Sequence, residues 1–445
     1  MSEPLPELIN EVVSASADEA EEKLSAVLAN QDFAAIALLL ESLPLEQRLD
    51  IWRKLPNHKK LDVLVEMRGD ARELIIKAES QDDWQVIFND IDAEDLLEIL
   101  DSLPQTLIEL AYSSLDNKQQ QYFTSATQYP DEQIGHWLSH DILVLPQSAK
   151  VRDANRLLKR EIATHCDSIF LVNRAGQFAE LVKIVDLFAL PEHIPLVDLS
   201  LDDVAVIKAT DELVLSSQLV QRSGLSALPV VDDANKLMGR LDIMTACELM
   251  TEFYERQVMS SAGMDENEDL FSPVLKSTKN RALWLGINLI TAFLASFFIA
   301  MFEATLQQVV ALAVLMPIVA SMGGIAGSQT LTLIIRGLAL NQVSKANRFA
   351  LLKKELQVGG FNGIFWALVI GIVAYAWFAD PMLGVVIAVA ILCNVVAAAF
   401  AGVFIPIILV KLKIDPALSG SVILTTVTDI VGFVCFLGLG TLVLV

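Results

Sequence analysis

The sequence predicts a multi-domain α-helical membrane protein: an acidic superhelical N-domain, an α/β tandem pair, and five transmembrane helices. Three observations predict it. Apolar residues make up 53% of the 445 residues, and a mean hydropathy of +0.49 exceeds that of ordinary water-soluble chains. The charge divides where the hydropathy does. From Lys276 onward ten Lys/Arg oppose five Asp/Glu, a net of +5, so residues 1–275 hold −28 against the overall −23. Residues 142–250 also contain an internal repeat. A domain this acidic repels nucleic acid and attracts cations, so no nucleic-acid partner is expected.

Residues 1–19 read as a tail. MSEPLPELINEV has neither a basic n-region nor an apolar stretch, so no cleaved signal peptide is expected. Residues 20–130 read as short helices of about ten residues with apolar positions at i, i+3 and i+4. They are punctuated by Leu43–Pro44, Leu55–Pro56 and Leu103–Pro104, with Pro suited to a helix start. Such repetition points to a compact α-solenoid-like bundle. Its candidate acidic surface residues are Asp70, Asp82, Asp83, Asp90, Asp92, Glu94 and Asp95.

In residues 131–245, SIFLVNRAGQFAELVKIVDLF (168–188) aligns with SALPVVDDANKLMGRLDIMTA (226–246) at an offset of 58. Each copy reads helix, strand, tight turn, strand, helix, with turns at Asn173–Arg174 and Asp232–Asp233. The pair resembles tandem cystathionine β-synthase (CBS) modules. Nucleotide-binding CBS modules carry Ser/Thr three residues before an Asp. Here Lys183 precedes Asp186, and Asp242 and Thr245 reverse the chemistry, so an adenine nucleotide is not the expected ligand. Residues 246–275 continue as an amphipathic connecting helix that ends in the acidic run DENED (265–269). The four cysteines stand far apart with no CxxC spacing and read as reduced. P-loop, nucleophile-elbow and metalloprotease motifs are missing from the sequence, so no enzyme is expected.

Residues 276–445 hold five apolar stretches, roughly 282–301, 306–322, 361–378, 382–410 and 417–445. Each is about long enough to cross ~30 Å of hydrocarbon at ~1.5 Å per residue. All ten positive charges fall before the first stretch, between the second and third, or between the fourth and fifth. By the positive-inside rule that side is cytoplasmic, which puts the N-terminal domains in the cytosol and the C-terminus outside an inner membrane.

Asp429, in TTVTDIVGF, lies near the middle of the last stretch. An uncompensated carboxylate there costs about 2.5–3.5 kcal/mol, and no Lys or Arg lies inside a span to pair with it. Helical spacing places Ser421, Thr425, Thr428, Asp429 and Gly432 on one polar stripe, a candidate cation path; a protonated Asp bonded to a neighbouring helix is the alternative. One carboxylate supplies half the charge of a divalent ion, so a homodimer with two copies across a two-fold axis is expected. In PIVASMGGIAGSQTLT (317–332), Pro317, Gly323, Gly324 and Gly327 predict a broken or kinked helix. Its carbonyls, with Ser321, Ser328 and Gln329, would offer hard oxygen ligands suited to Mg²⁺ or Ca²⁺; a small-residue packing surface is the alternative. Asn394 in the fourth stretch is a further pore-lining candidate.

RALWLGINL (281–289), Phe302–Glu303, PxxxSxGGxxGxQ (317–329), IRGLAL (335–340) and DPALSG…TTVTDIVGF (415–433) resemble the membrane domain of the MgtE magnesium transporter family. Ile325 and Ser421 stand where members often carry Asn. The resemblance implies that Asp429 holds a hydrated Mg²⁺ in a pore, and that Mg²⁺ is both transported and regulatory. It extends over an acidic N-domain, the CBS pair and a plug helix over 246–275. Sensor candidates are Asp92, Asp95, Glu248, Glu252 and Glu255, with Gln257 where members often carry Asp. The implied activity is a gated channel importing Mg²⁺ down its gradient. Alternatives are a carrier for another divalent cation such as Co²⁺, an H⁺- or Na⁺-coupled exchanger, and a non-transporting CBS receptor.

Overall fold

The computed structural model describes residues 32–159, 166–188, 190–265 and 267–445; the tail and the first expected helical residues, 1–31, lie outside them. Two compact units form, one of residues 1–254 with 267–273, the other of 255–266 with 274–445.

In the first unit, the described residues of the N-domain form eight α-helices: α1 (Phe33–Glu41), α2 (Leu45–Lys54), α3 (Asn57–Glu66), α4 (Gly69–Ala78), α5 (Gln81–Ile87), α6 (Ala93–Ile99), α7 (Gln105–Ser114) and α8 (Asn117–Ala126). Pro44, Pro56 and Pro104 occupy the N-cap positions of α2, α3 and α7, as the Leu-Pro punctuation predicts. The polar starts are side-chain caps: Ser80 accepts from Asp83 N, and Asp116 from Lys118 and Gln119 N. The apolar faces converge on Trp52, Trp84, Phe88, Leu64 and Met67, all fully buried. Each such side chain contributes about 1.5–3 kcal/mol by leaving water.

After α9 (Ile134–Trp137), the repeat forms two three-stranded sheets, β1 (Leu143–Pro146), β2 (Ser168–Val172), β3 (Phe178–Lys183) and β4 (Ile207–Lys208), β5 (Ala227–Val231), β6 (Leu237–Asp242). In each sheet the first strand is parallel to the second and the third is antiparallel. The helices α10 (Val151–Leu157) and α11 (Leu213–Ser223) follow the short leading strands β1 and β4, which the sequence pattern did not show. Asn173 and Asp232 each close an Asx turn, accepting from the backbone N–H two and four residues on. The two hairpin turns then bond to each other, Phe178 N to Asn235 O and Leu237 N to Gly176 O. Strand pairing (Ser168 with Lys183, Ala227 with Asp242) sets the repeat offset at 59. That is one residue beyond the offset expected from sequence, because the turn geometry fixes the register. α12 (Ile243–Ser261) leaves the last strand directly.

The second unit holds five helices long and apolar enough to span a membrane: α13 (Val274–Ala300), α15 (Val310–Ala339), α16 (Arg348–Phe378), α17 (Pro381–Lys411) and α18 (Pro416–Leu444), with the short α14 (Glu303–Gln308) before α15. Asp380 and Asp415 cap α17 and α18, each followed by Pro at the first helical position. α17 is the central helix, packed against α15, α16 and α18. α13 is its opposite, with Ala295 as its one buried residue.

The expected break at 317–329 does not occur. α15 runs unbroken through Pro317 and all three glycines. A prolyl ring removes one intrahelical bond but does not end a helix whose other faces are held by packing. Glycines on both helices instead let α15 and α18 pack closely. Gly327 faces Leu424, Gly420 faces Leu331 and Gly440 faces Leu312, each so close that an added Cβ would lie about 3 Å from the facing leucine. These contacts realise the small-residue packing alternative at Gly327, while Ser321 and Gln329 remain exposed.

Candidate cation pathway and sensor

The α15–α18 contact sorts the polar stripe into two faces. Ser321 on α15 and Thr425 on α18 are exposed, and Ser421, Gly324 and Asp429 are partly exposed. Gly324 meets Thr425 across the helix pair. Thr428 and Gly432 are buried on the inner side, as are Gly323 and Gly327. Asp429 therefore stands on an open, mid-helix face beside hydroxyls, whereas half of the expected lining residues form the wall behind it. Thr425 and Thr428 return their hydroxyls to the backbone carbonyls of Ser421 and Thr425. Their side chains are thereby oriented without a neighbouring helix.

Asn394 is fully buried in α17 and donates Nδ2 to the carbonyl of Val319 on α15 at 2.8 Å. It ties helices together inside the bundle and does not reach the open face.

One carboxylate escaped the sequence reading. Glu355 lies in α16, only 4% exposed, accepting from Thr330 Oγ1 at 3.1 Å and Lys354 Nζ at 2.5 Å. The basic stretch 345–354 made it look like part of a loop. Its signal was spacing: Glu355, Gly359, Gly363 and Ala367 recur every four residues and are all buried, so the helix starts well before the apolar run.

In the first unit, Asp92 and Asp95 form a capping box at the start of α6. Asp92 Oδ1 accepts from Asp95 N at 2.8 Å, and Asp95 Oδ2 from Asp92 N at 3.5 Å. Loss of water around Asp95, with Asp92, Asp62 and Glu94 near it, pushes its carboxyl up to about 7. Burial raises the Glu94 carboxyl too, even though it accepts from His140 N. Desolvation and the carboxylates of Glu66, Asp242 and Glu252 raise Glu248 on α12. Glu255 is exposed further along that helix, in the second unit. Among the described residues no three His, Cys, Asp or Glu side chains converge closely enough to hold a metal ion.

The N-domain face toward α12 is not uniformly acidic. Arg68 pairs with Glu252 at 3.7 Å, and Arg72, nearly buried, lies 3.6 Å from Glu98 while donating to the carbonyls of Glu98 and Val65. Asp70, expected on the surface, is 2% exposed, and its backbone N–H donates to Asn267 O at 2.9 Å. The acidic run is held there. Arg48, fully buried, closes the end of α1 through the carbonyls of Leu40 and Glu41 and meets Asp269 at 3.3 Å. Asp269 in turn accepts from Phe271 N and takes Ser272 Oγ on its own N–H. The segment joining α12 to α13 is thus clamped to the N-domain by the Arg48 guanidinium and the backbone N–H of Asp70.

Five apolar helices with one open-faced carboxylate, following a helical domain and a CBS-like pair, define a polytopic membrane transporter and not an enzyme. The profile of MgtE divalent cation transporters matches residues 316–439, and that of the MgtE intracellular N domain matches residues 31–132. The chain belongs to the MgtE family. It is 26% identical over 412 residues to the magnesium transporter MgtE of Bacillus subtilis, covering 91% of this chain and 90% of that one. Residues of the extramembrane part are similar to the CBS pair domain of a Shewanella oneidensis protein (32% identity, 38% of this chain and 98% of that one, TM-score 0.33). They are also similar to the cytosolic domain of the Mg²⁺ channel MgtE solved with ATP (17% identity, 55% and 100%, TM-score 0.47).

Proposed function

We propose that this chain imports Mg²⁺ across the cytoplasmic membrane as a gated homodimeric channel, closed when internal Mg²⁺ binds its acidic domains. The observation that carries the reading is Asp429, partly exposed at mid-helix on the open α15–α18 face. A carboxylate at that depth is costly unless it faces water or a cation. Two such faces across a two-fold axis would bring together a charge of −2 with the hydroxyls of Thr425 and Ser421 around it. Mg²⁺ gives up its water reluctantly, so hydroxyls and paired carboxylates suit it through its hydration shell. Inward movement of a divalent ion releases about 4.6 kcal/mol per 100 mV, so no coupled ion is needed. The carboxylates of Asp62, Asp92 and Glu94 near Asp95 support the sensing role only as a region of negative charge that cations would screen, since they do not converge on one point. The arginine contacts mean that cation binding adds to a clamp already present.

The test is Mg²⁺ flux in proteoliposomes with a membrane potential and no proton or sodium gradient. Flux in the wild type and its loss in Asp429→Ala are expected. Flux that appears only with an imposed gradient of H⁺ or Na⁺ would replace the channel by a coupled carrier.

A further inference from the structure

We propose that Asn394 is the positioning residue that sets the place of Asp429, by locking α15 and α18 to the central helix α17 through its amide. The inference rests on the reading of Asp429 as the ion's ligand. Three observations converge on it. Asn394 has no exposed surface, and its Nδ2 donates to Val319 O of α15 at 2.8 Å. The amide lies between two glycines, one per neighbouring helix. A Cβ on Gly432 of α18 would come 2.6 Å from Nδ2, and one on Gly323 of α15 would collide with the same amide. Its Oδ1 is buried with no hydrogen-bond partner among the described residues. Flipping the amide would not help, since Oδ1 would then face the Val319 carbonyl oxygen.

A half-satisfied amide in an apolar bundle is a poor way to gain stability, because an apolar side chain of the same shape would fill the space without an unmet acceptor. Its value is geometric. A directed bond to one carbonyl fixes the α15–α17 register, and the two glycines let both helices close on the amide at one level. Gly432 is three residues, just under one turn, beyond Asp429, so the carboxylate cannot slide along α18 without driving backbone into the amide.

The test compares purified full-length variants for Mg²⁺ flux, the Mg²⁺/Co²⁺ flux ratio and thermal unfolding in detergent. Asn394→Leu keeps the shape and removes the donor. It is expected to unfold no earlier than wild type, yet to lose about tenfold in flux and to shift the ion ratio. Asn394→Asp, neutral in these apolar surroundings, offers an O–H to Val319 and is expected to restore most of the flux. Gly323→Ala should be inactive for lack of space, and Gly323→Ala/Asn394→Ala should stay inactive although the clash is gone. Wild-type flux and ion ratio in Asn394→Leu would overturn the proposal. Equal losses in the Leu and Asp variants, or recovery in the double variant, would overturn it too. Asp429→Ala run alongside separates the two readings: if it conducts normally, the pore assignment fails whatever the Asn394 variants do.

Discussion

At the scale of single residues, charge location is what the molecule controls most tightly. Asp95 illustrates the cost. Its carboxyl titrates near 7 in the fold against an ordinary value of 3.8, so the folded state binds a proton that the unfolded chain has released. The stability this supplies is complete below about pH 4 and is lost as pH rises to about 7. Asp95→Asn should therefore raise the unfolding temperature in EDTA at pH 8 and leave it nearly unchanged at pH 4, as scanning calorimetry would show. Asp429 is the counterpart in the membrane part. It was legible because a carboxylate is costly in lipid, so its presence at mid-span stands out in the sequence. Glu355 was not legible as a buried group, because three of the flanking basic residues hid the helix that carries it.

At the scale of elements, the clamp on the segment before α13 is the feature that pairwise charge counting misses. DENED reads as a repelling acidic run, yet the structure gives Asp269 to a fully buried Arg48 and Asn267 O to a backbone N–H. Removing Arg48 strands the carbonyls of Leu40 and Glu41 along with Asp269. Arg48→Ala should destabilise the fold by about 3–5 kcal/mol, the cost of breaking a buried ion pair, measured by denaturant unfolding. Asp269→Ala leaves the fully buried Arg48 its two carbonyl acceptors but no counter-charge, so it should also lower the unfolding free energy, at most by about the same 3–5 kcal/mol. It frees the segment that leads into the first membrane helix, so closure should need a several-fold higher internal Mg²⁺ concentration in flux assays. An unchanged closing concentration would separate the clamp from gating. The repeat shows the same limit of sequence reading. Both hairpins were visible from composition, but the offset of 59 follows from Asx turns that only strand pairing aligns.

At the scale of the whole molecule, the open α15–α18 face and the nearly bare α13 are surfaces that lipid alone or a second copy could cover. The two-fold reading predicts which positions meet. Thr425→Cys, on the exposed side, should form a covalent dimer under mild oxidation in a background with the four native cysteines replaced, whereas Asn394→Cys, fully buried, should not. Non-reducing electrophoresis reads both, and cross-linking of neither would remove the proposed pore axis. Removing residues 1–270 should leave flux that no longer responds to internal Mg²⁺, and retained inhibition would move the sensor into the membrane part.

The sequence by itself determined the five spans, their division from an acidic helical domain and a repeated α/β unit, and the single mid-span carboxylate. Each follows from a one-dimensional constraint: hydrocarbon thickness sets run length, periodicity sets the buried face, and charge is excluded from lipid. Tertiary structure decided which glycines are contact points and not breaks, which half of the polar stripe faces outward, and that Asn394 binds helices from within. It also decided that Arg48 clamps the acidic linker. Those outcomes depend on which helix lies opposite, and hydrogen bonds and close packing between residues far apart in the chain leave no periodic trace along it.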